Sequence, residues 1–303
     1  MRRQRLISAL LCFVFLALGA VLVLSERNIL RDEGVTVSRA AFEGGGGKLW
    51  LPETGRTRDV PLYEEDHAGH AESLPVGGDL SAALVLGGAA DGIGALSAEL
   101  ARRGVAVLLP DRDTSASAAW DWLAEQSAVR ISSMALIASA DRSDEALSLG
   151  AKLAASDRAP AATILLGDDE VLRRAAAYPG RNLLVLTARE AEAGAKAVFF
   201  GEGYDARTDF IGYFGDGTAR AAAAVRGRAA FSSLETLRQI LDWQGSALGH
   251  VVELPDDSVI YPIIYFCRIA SAFCFAAAAV IWPLRRGESK RGSGTIQKRR
   301  PRS

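Results

Sequence analysis

The stretch Ala82–Asp111, AALVLGGAADGIGALSAELARRGVAVLLPD, constrains the fold of this chain more than any other. Ala82–Leu86 is a short apolar run that Gly87 and Gly88 interrupt. Asp91 stands where a helix N-cap belongs, and Leu96, Leu100 and Val105 follow at spacings that bury one helical face. Gly104 closes the helix, and Val105–Leu109 is a second apolar run ended by Pro110 and Asp111. The pattern predicts strand, glycine turn, helix, strand. Two apolar strands joined by one helix form a right-handed βαβ unit, which demands a parallel sheet with both faces covered.

The alternation continues downstream. Ser117–Val129 reads as an amphipathic helix with Trp120, Leu123 and Ala124 inward, followed by a strand over Met134–Ala138 and a helix over Ser143–Ala155. Strands are expected at Ala162–Leu166, Asn182–Thr187 and Thr218–Val225, and helices at Glu170–Tyr178 and Ser232–Leu248. Asp168 and Asp169 suit a helix start. Upstream, Val35–Phe42 and Lys48–Leu51, separated by Gly44–Gly47, predict an antiparallel hairpin. The expected class is therefore α/β with a doubly wound, mostly parallel sheet. Glu53–Leu80 reads as a polar connection, and Arg189–Asp216 as one short helix and a glycine-containing loop.

Both ends of the chain are apolar. Leu6–Leu24 holds no charged residue, and its 19 residues span a bilayer core of ~30 Å at ~1.5 Å per residue. A cleaved signal peptide is the alternative, but the run is long for one and no small-x-small site follows. The second apolar segment is Val259–Leu284, with Asp256 and Asp257 before it and Arg285 and Arg286 after it. Positive charge at both termini places them in the cytoplasm and the middle outside. The expected boundaries are an anchor at 1–25, an extracytoplasmic domain at 27–258, a second span at 259–284 and a basic tail at 285–303. Arg268 interrupts the second span; it either snorkels toward the interface or pairs with Glu26, at the matching outer end of the first span. The tail reads as a disordered segment suited to anionic lipid.

Between Glu26 and Ser258 there are 23 Lys/Arg against 35 Asp/Glu. An acidic middle between basic ends argues against nucleic acid as a partner and for the lipid bilayer as one. All three cysteines, Cys12, Cys267 and Cys274, lie in the apolar ends, so the middle depends on no disulfide. In the connection YEEDHAGHAE, His67 and His70 beside Glu64, Glu65, Asp66 and Glu72 are the weak metal candidates. Nothing in the spacing fixes a ligand geometry there, and no metal or cofactor is expected.

Two families resemble the core. The turn GGAADGIG at Gly87–Gly94 resembles the cofactor loop of short-chain dehydrogenases, with Gly88, Gly92, Ile93 and Gly94 in place and Asp111 where that family holds the adenosine ribose. Glycines let backbone N–H groups approach a pyrophosphate at a helix N-terminus. That resemblance also implies a Tyr-x-x-x-Lys pair, and none of the six tyrosines has a lysine four residues on.

The wider resemblance is to α/β-hydrolases of the dienelactone-hydrolase type, and it covers most of Val35–Gly249. It rests on the leading hairpin, the Leu86–Gly88 turn at the oxyanion-loop position, LLPD, AAWDWLAEQ, RISSMALIASADRS, FGDGTARAAAAVRG and SSLETLRQILDWQGSALG, in that order. Related membrane-bound forms carry a transmembrane region after the last helix, as here. The resemblance implies a small-x-Ser-x-Gly elbow, and that position reads Ala138-Ser139-Ala140-Asp141-Arg142, so Ala140 holds the nucleophile's place and Arg142 replaces a glycine. Ser139 is one residue early, and Ser143 three late and suited to capping a helix; these two are the fallback nucleophiles. The histidine implied between Val225 and Ser232 is absent from RGRAAFS, while Glu190 or Glu192 stands at the acid position and His250 beyond the last helix. The expectation is a membrane-tethered hydrolase fold without the Ser/His pair, binding a protein or small molecule. An esterase with relocated residues, such as Ser139 or Ser143 with His67 or His70, and a nicotinamide-binding protein are the alternatives.

Overall fold

The computed structural model describes residues 2–53, 57–60, 70–73, 80–88, 92–201, 203–205, 207–225, 233–248 and 260–291. The chain divides into two compact units, one formed by Leu30–Pro262 and one by Met1–Ile29 with Ile263–Ser303.

In the larger unit, strands β1 (Val35–Phe42), β2 (Gly45–Pro52), β5 (Leu80–Leu86), β6 (Val105–Pro110), β7 (Val129–Ala138), β8 (Ala162–Gly167), β9 (Leu183–Thr187), β10 (Phe210–Ile211) and β11 (Arg220–Ala224) form one sheet. Their order is β1-β2-β6-β5-β7-β8-β9-β11-β10. The pairings from β6 through β11 are parallel, whereas β2 runs antiparallel to both β1 and β6, and β10 antiparallel to β11. A mostly parallel sheet with an antiparallel pair leading it is what the apolar runs require, but the hairpin turns at Glu43–Gly44, and Gly45–Gly47, expected in the turn, already pair with β1.

Helices alternate with these strands: α2 (Ile93–Arg102), α3 (Ala116–Ala124), α4 (Ser143–Leu153), α5 (Asp169–Ala175), α6 (Ala193–Phe200) and α7 (Leu234–Leu248). Successive residues of a strand face opposite sides. Ala82, Leu84 and Leu86 of β5 enter a core shared with Trp120 and Leu123 of α3, Leu149 of α4 and Leu172 of α5. Ala83 and Val85 are equally buried on the other face, where α2 packs on β2 and β6 and α7 on β7 and β8. Both faces are thus covered, as a parallel sheet demands.

Several expectations change in detail. The N-cap of α2 is Gly92 at φ 76°, not Asp91, which lies outside the described residues; no side chain caps this end. Gly104, at φ 87°, follows the helix and turns the chain into β6. Helix α3 ends at Ala124, five residues before the expected end, because Val129 already pairs with Leu80 at the start of β7. Ser115 caps that helix and Asp168 caps α5. The connection Glu53–Leu80 is not all loop: β3 (Thr57–Val60) and β4 (His70–Ser73) form a separate antiparallel pair.

In the smaller unit, α1 (Arg2–Asp32) and α8 (Tyr261–Arg291) are single continuous helices. Each contains a stretch long and apolar enough to cross a membrane, Ile7–Asp32 and Pro262–Ile281. Helix α8 outruns its apolar stretch, since the polar residues at 285–291 continue the helix. Of the two readings of Arg268, the ion pair is the one present: its guanidinium donates to Glu26 Oε1 from Nε at 2.7 Å and from Nη2 at 2.6 Å.

Candidate functional site

In parallel α/β sheets, ligand chemistry gathers outside the carboxyl ends of the strands. Here that edge carries Gly87 and Gly88 after β5, Ser139–Arg142 after β7, Asp168 after β8 and Arg189–Glu190 after β9. The sheet register brings the first two together. Leu86 is paired with Ala138, and Ser139 N donates to Leu86 O at 2.9 Å.

The turn leaving β7 is where the resemblance to hydrolases places a nucleophile. Ser139 is extended, and Ala140–Arg142 form one 3₁₀ turn that runs directly into α4. Asn182 is the only non-glycine residue at positive φ among the described residues, so Ala140 holds no left-handed conformation. A strained elbow pushes its central residue out toward substrate; this turn is relaxed. Arg142, in the place of the elbow's glycine, sits at ordinary negative φ with Nε 2.5 Å from Glu145 Oε2.

Both fallback hydroxyls are engaged. Ser139 is buried, and its Oγ donates to Asp141 Oδ1. A Cβ built on Gly87 would lie 2.8 Å from that Oγ, so the hydroxyl fills the space in front of the oxyanion-loop position. Ser143 is also buried, and its Oγ donates to Ala140 O at 2.9 Å, closing the 3₁₀ turn. His67 and His250 lie outside the described residues, as does the side chain of His70 on β4 and the whole Arg226–Ser232 loop.

The cofactor-loop residues are partly assembled. Gly92 makes the left-handed turn into α2, Gly94 is buried in its first turn, and Gly88 follows β5; residues 89–91 between them lie outside the description. Asp111 does stand at the carboxyl end of β6, but its carboxylate accepts from Arg39 Nη2 of β1 at 2.6 Å. Its backbone N–H and C=O close a turn with Gly46 and Thr114. A ribose would have to displace that arginine.

Two charged clusters belong to none of the motifs read from the sequence. Lys196 of α6 is buried to 3% exposure, and its Nζ donates at 2.5 Å to both Glu190 and Asp209. Burial opposes the ammonium charge, yet the two carboxylates outweigh it and hold the lysine above its ordinary pKa. It is a protonated tie across the β9 acid position, with Glu190 spent on it, and Glu192 bonds Arg173 instead. On α2, buried Glu99 accepts from Arg102 and Arg103, and Arg102 reaches Glu33 at 2.9 Å. The i, i+3 and i, i+4 spacing of Glu99, Arg102 and Arg103 is the one signal that sequence offered for this cluster.

No family model matches the chain, and no curated protein matches it. Solved structures with a similar chain path are esterases and hydrolases. A carboxyl esterase from the mycorrhizal fungus Tuber melanosporum is 13% identical, with 78% of this chain and 88% of that one covered at a TM-score of 0.40. An S-formylglutathione hydrolase from Staphylococcus aureus is 10% identical, with 69% and 95% covered at 0.43. An esterase of the bacterial hormone-sensitive lipase family is 13% identical, with 80% and 98% covered at 0.40.

Proposed function

We propose that this chain is a membrane-tethered protein of the α/β-hydrolase fold whose extracytoplasmic domain acts by binding rather than by serine-ester hydrolysis. The order of elements supports the fold: leading hairpin, glycine turn, α2, β6, α3, β7, tight turn, α4, last strand and last helix follow the order that the resemblance implies. One observation carries the absence of serine chemistry. The turn after β7 is a relaxed 3₁₀ turn with alanine at its centre, and both neighbouring serine hydroxyls are engaged in closing it. A serine acts as a nucleophile only when its hydroxyl is free to meet a base and a substrate carbonyl.

Tethering rests on the two apolar helices and on the basic residues at both chain ends, which favour cytoplasmic termini and an acidic domain on the opposite side. The partner is a protein or small molecule.

The second reading is a serine hydrolase using Ser139. What favours it is the position of Ser139 Oγ, in front of Gly87 with a carboxylate, Asp141, as its acceptor. Fluorophosphonate labelling of the full chain in membranes, run beside an ester-turnover assay, separates the two. The binding reading expects neither labelling nor turnover. Labelling that maps to one serine and vanishes in Ser139→Ala would establish the enzyme instead.

A further inference from the structure

The two apolar helices meet along a repeat that composition conceals. On α1 Cys12 and Gly19 are buried and Phe15, Leu22, Glu26 and Ile29 half-buried, alternately three and four apart, with Ser8, Ala9, Val23 and Ser25 half-buried beside them. On α8 they are Ile264, Cys267, Ser271, Cys274 and Ala278, again alternately three and four apart. This is the 3.5-residue period of a coiled-coil seam. The helices run antiparallel along it. Cys12 Sγ lies 3.8 Å from Ala278 O, a Cβ on Gly19 would touch the Phe275 ring at 3.0 Å, and Glu26 bonds Arg268. Most seam residues on α8 are small, which suits close backbone approach where lipid supplies no hydrophobic drive between helices.

We propose that the two spans form one transmembrane hairpin, and that Glu26–Arg268 is the polar layer that sets its register. This rests on the reading that both helices cross a membrane. Small residues repeated along a seam pack almost as well after a slip of one step, because cysteine, serine and alanine present similar surfaces. A charged pair does not tolerate the slip. Moved by three or four residues, each charge loses its opposite charge and is left without a counter-ion across the seam, whereas in register each neutralises the other. The side chains of Glu26 and Arg268 are only 15% and 32% exposed even without lipid, and both donor nitrogens converge on one carboxylate oxygen. Single polar positions specify coiled-coil register in the same way.

The chain's own cysteines allow the test. In the full chain carrying Cys267→Ala and Ala278→Cys, Cys12 can join position 278 in register or Cys274 after a one-step slip. After oxidation in native membranes, peptide mass spectrometry reads the ratio of the two products. The expected result is strong preference for position 278, near-equal products when Glu26→Leu and Arg268→Leu are added together, and restored preference with Glu26→Arg plus Arg268→Glu. The double leucine variant leaves no lone charge in lipid, so failure to insert does not confound it. Unchanged preference in that variant, no preference in the starting chain, or failure of the swap to restore it overturns the proposal. Extraction of the chain by alkaline carbonate overturns the membrane reading as well, and is distinguished by being read before oxidation.

Discussion

Gly150 lies within α4, where a β-carbon would collide with the Tyr178 hydroxyl. That hydroxyl is 2.8 Å from Thr163 Oγ1 on β8, so the glycine is the space that lets helix, strand and tyrosine meet. Gly150→Ala, which raises helix propensity, should nevertheless lower stability by about 1–3 kcal/mol through overpacking. Chemical denaturation of the full chain in detergent reads the sign. At Ala140 the converse holds. Ala140→Ser places a serine where the resemblance to hydrolases puts a nucleophile, yet the residue remains in a 3₁₀ turn, so neither fluorophosphonate labelling nor ester turnover should appear. Both positions were legible as residues, an alanine and a glycine; what each does depends on neighbours 28 residues away or on the turn around it.

Helix α2 shows how an element carries more than its apolar pattern. All ten of its residues are buried, including Glu99 and Arg102. The ionic network Glu33–Arg102–Glu99–Arg103 compensates those charges within the domain. Removing the shared carboxylate takes away one of the two acids that face two buried guanidinium groups, and Glu99→Ala should destabilise the domain by about 3–5 kcal/mol. Arg174→Ala, which breaks the exposed pair with Asp144 on neighbouring helices, should change stability by less than about 1 kcal/mol. Comparable denaturation midpoints for the two variants would show that α2 is more hydrated than its burial implies. Elements also mark where sequence reading stops. The strands at 82–86, 105–110 and 162–167 announce themselves as apolar runs, whereas β3 (TRDV) and β4 (HAES) lack any alternation and exist by pairing with each other. The seam between α1 and α8 is hidden for the opposite reason, because a helix apolar all round shows no period.

At the scale of the whole domain, two ionisations, those of Tyr178 and Lys196, point to alkaline sensitivity. Burial raises the Tyr178 pKa despite the Thr163 hydrogen bond and the Arg220 charge. Lys196 is raised too, where its carboxylate partners outweigh burial. Both groups hold their protons more tightly folded than unfolded. Their contribution is therefore complete below pH about 10 and is lost as pH rises through the folded values. Denaturant midpoints measured from pH 8 upward should stay flat and then fall above about pH 10, and Tyr178→Phe should make the fall shallower. A fall that is just as steep in the variant would assign it to Lys196 or to groups elsewhere.

The linear chain by itself determined the alternation of strands and helices, the two apolar ends, the acidic middle, and the residue types at 138–142 and 226–232. These are matters of local periodicity and covalent order, which short segments express on their own. Only the tertiary structure decided that Ser139 and Ser143 spend their hydroxyls closing the turn after β7 and that Arg39 occupies Asp111. It also decided that Lys196 ties Glu190 to Asp209 and that Glu26 meets Arg268 across 242 positions of chain. Such partners are chosen by packing, because a hydrogen bond or ion pair depends on distance in space, and the distance between residues far apart in sequence is fixed only when the sheet and helices close around their cores.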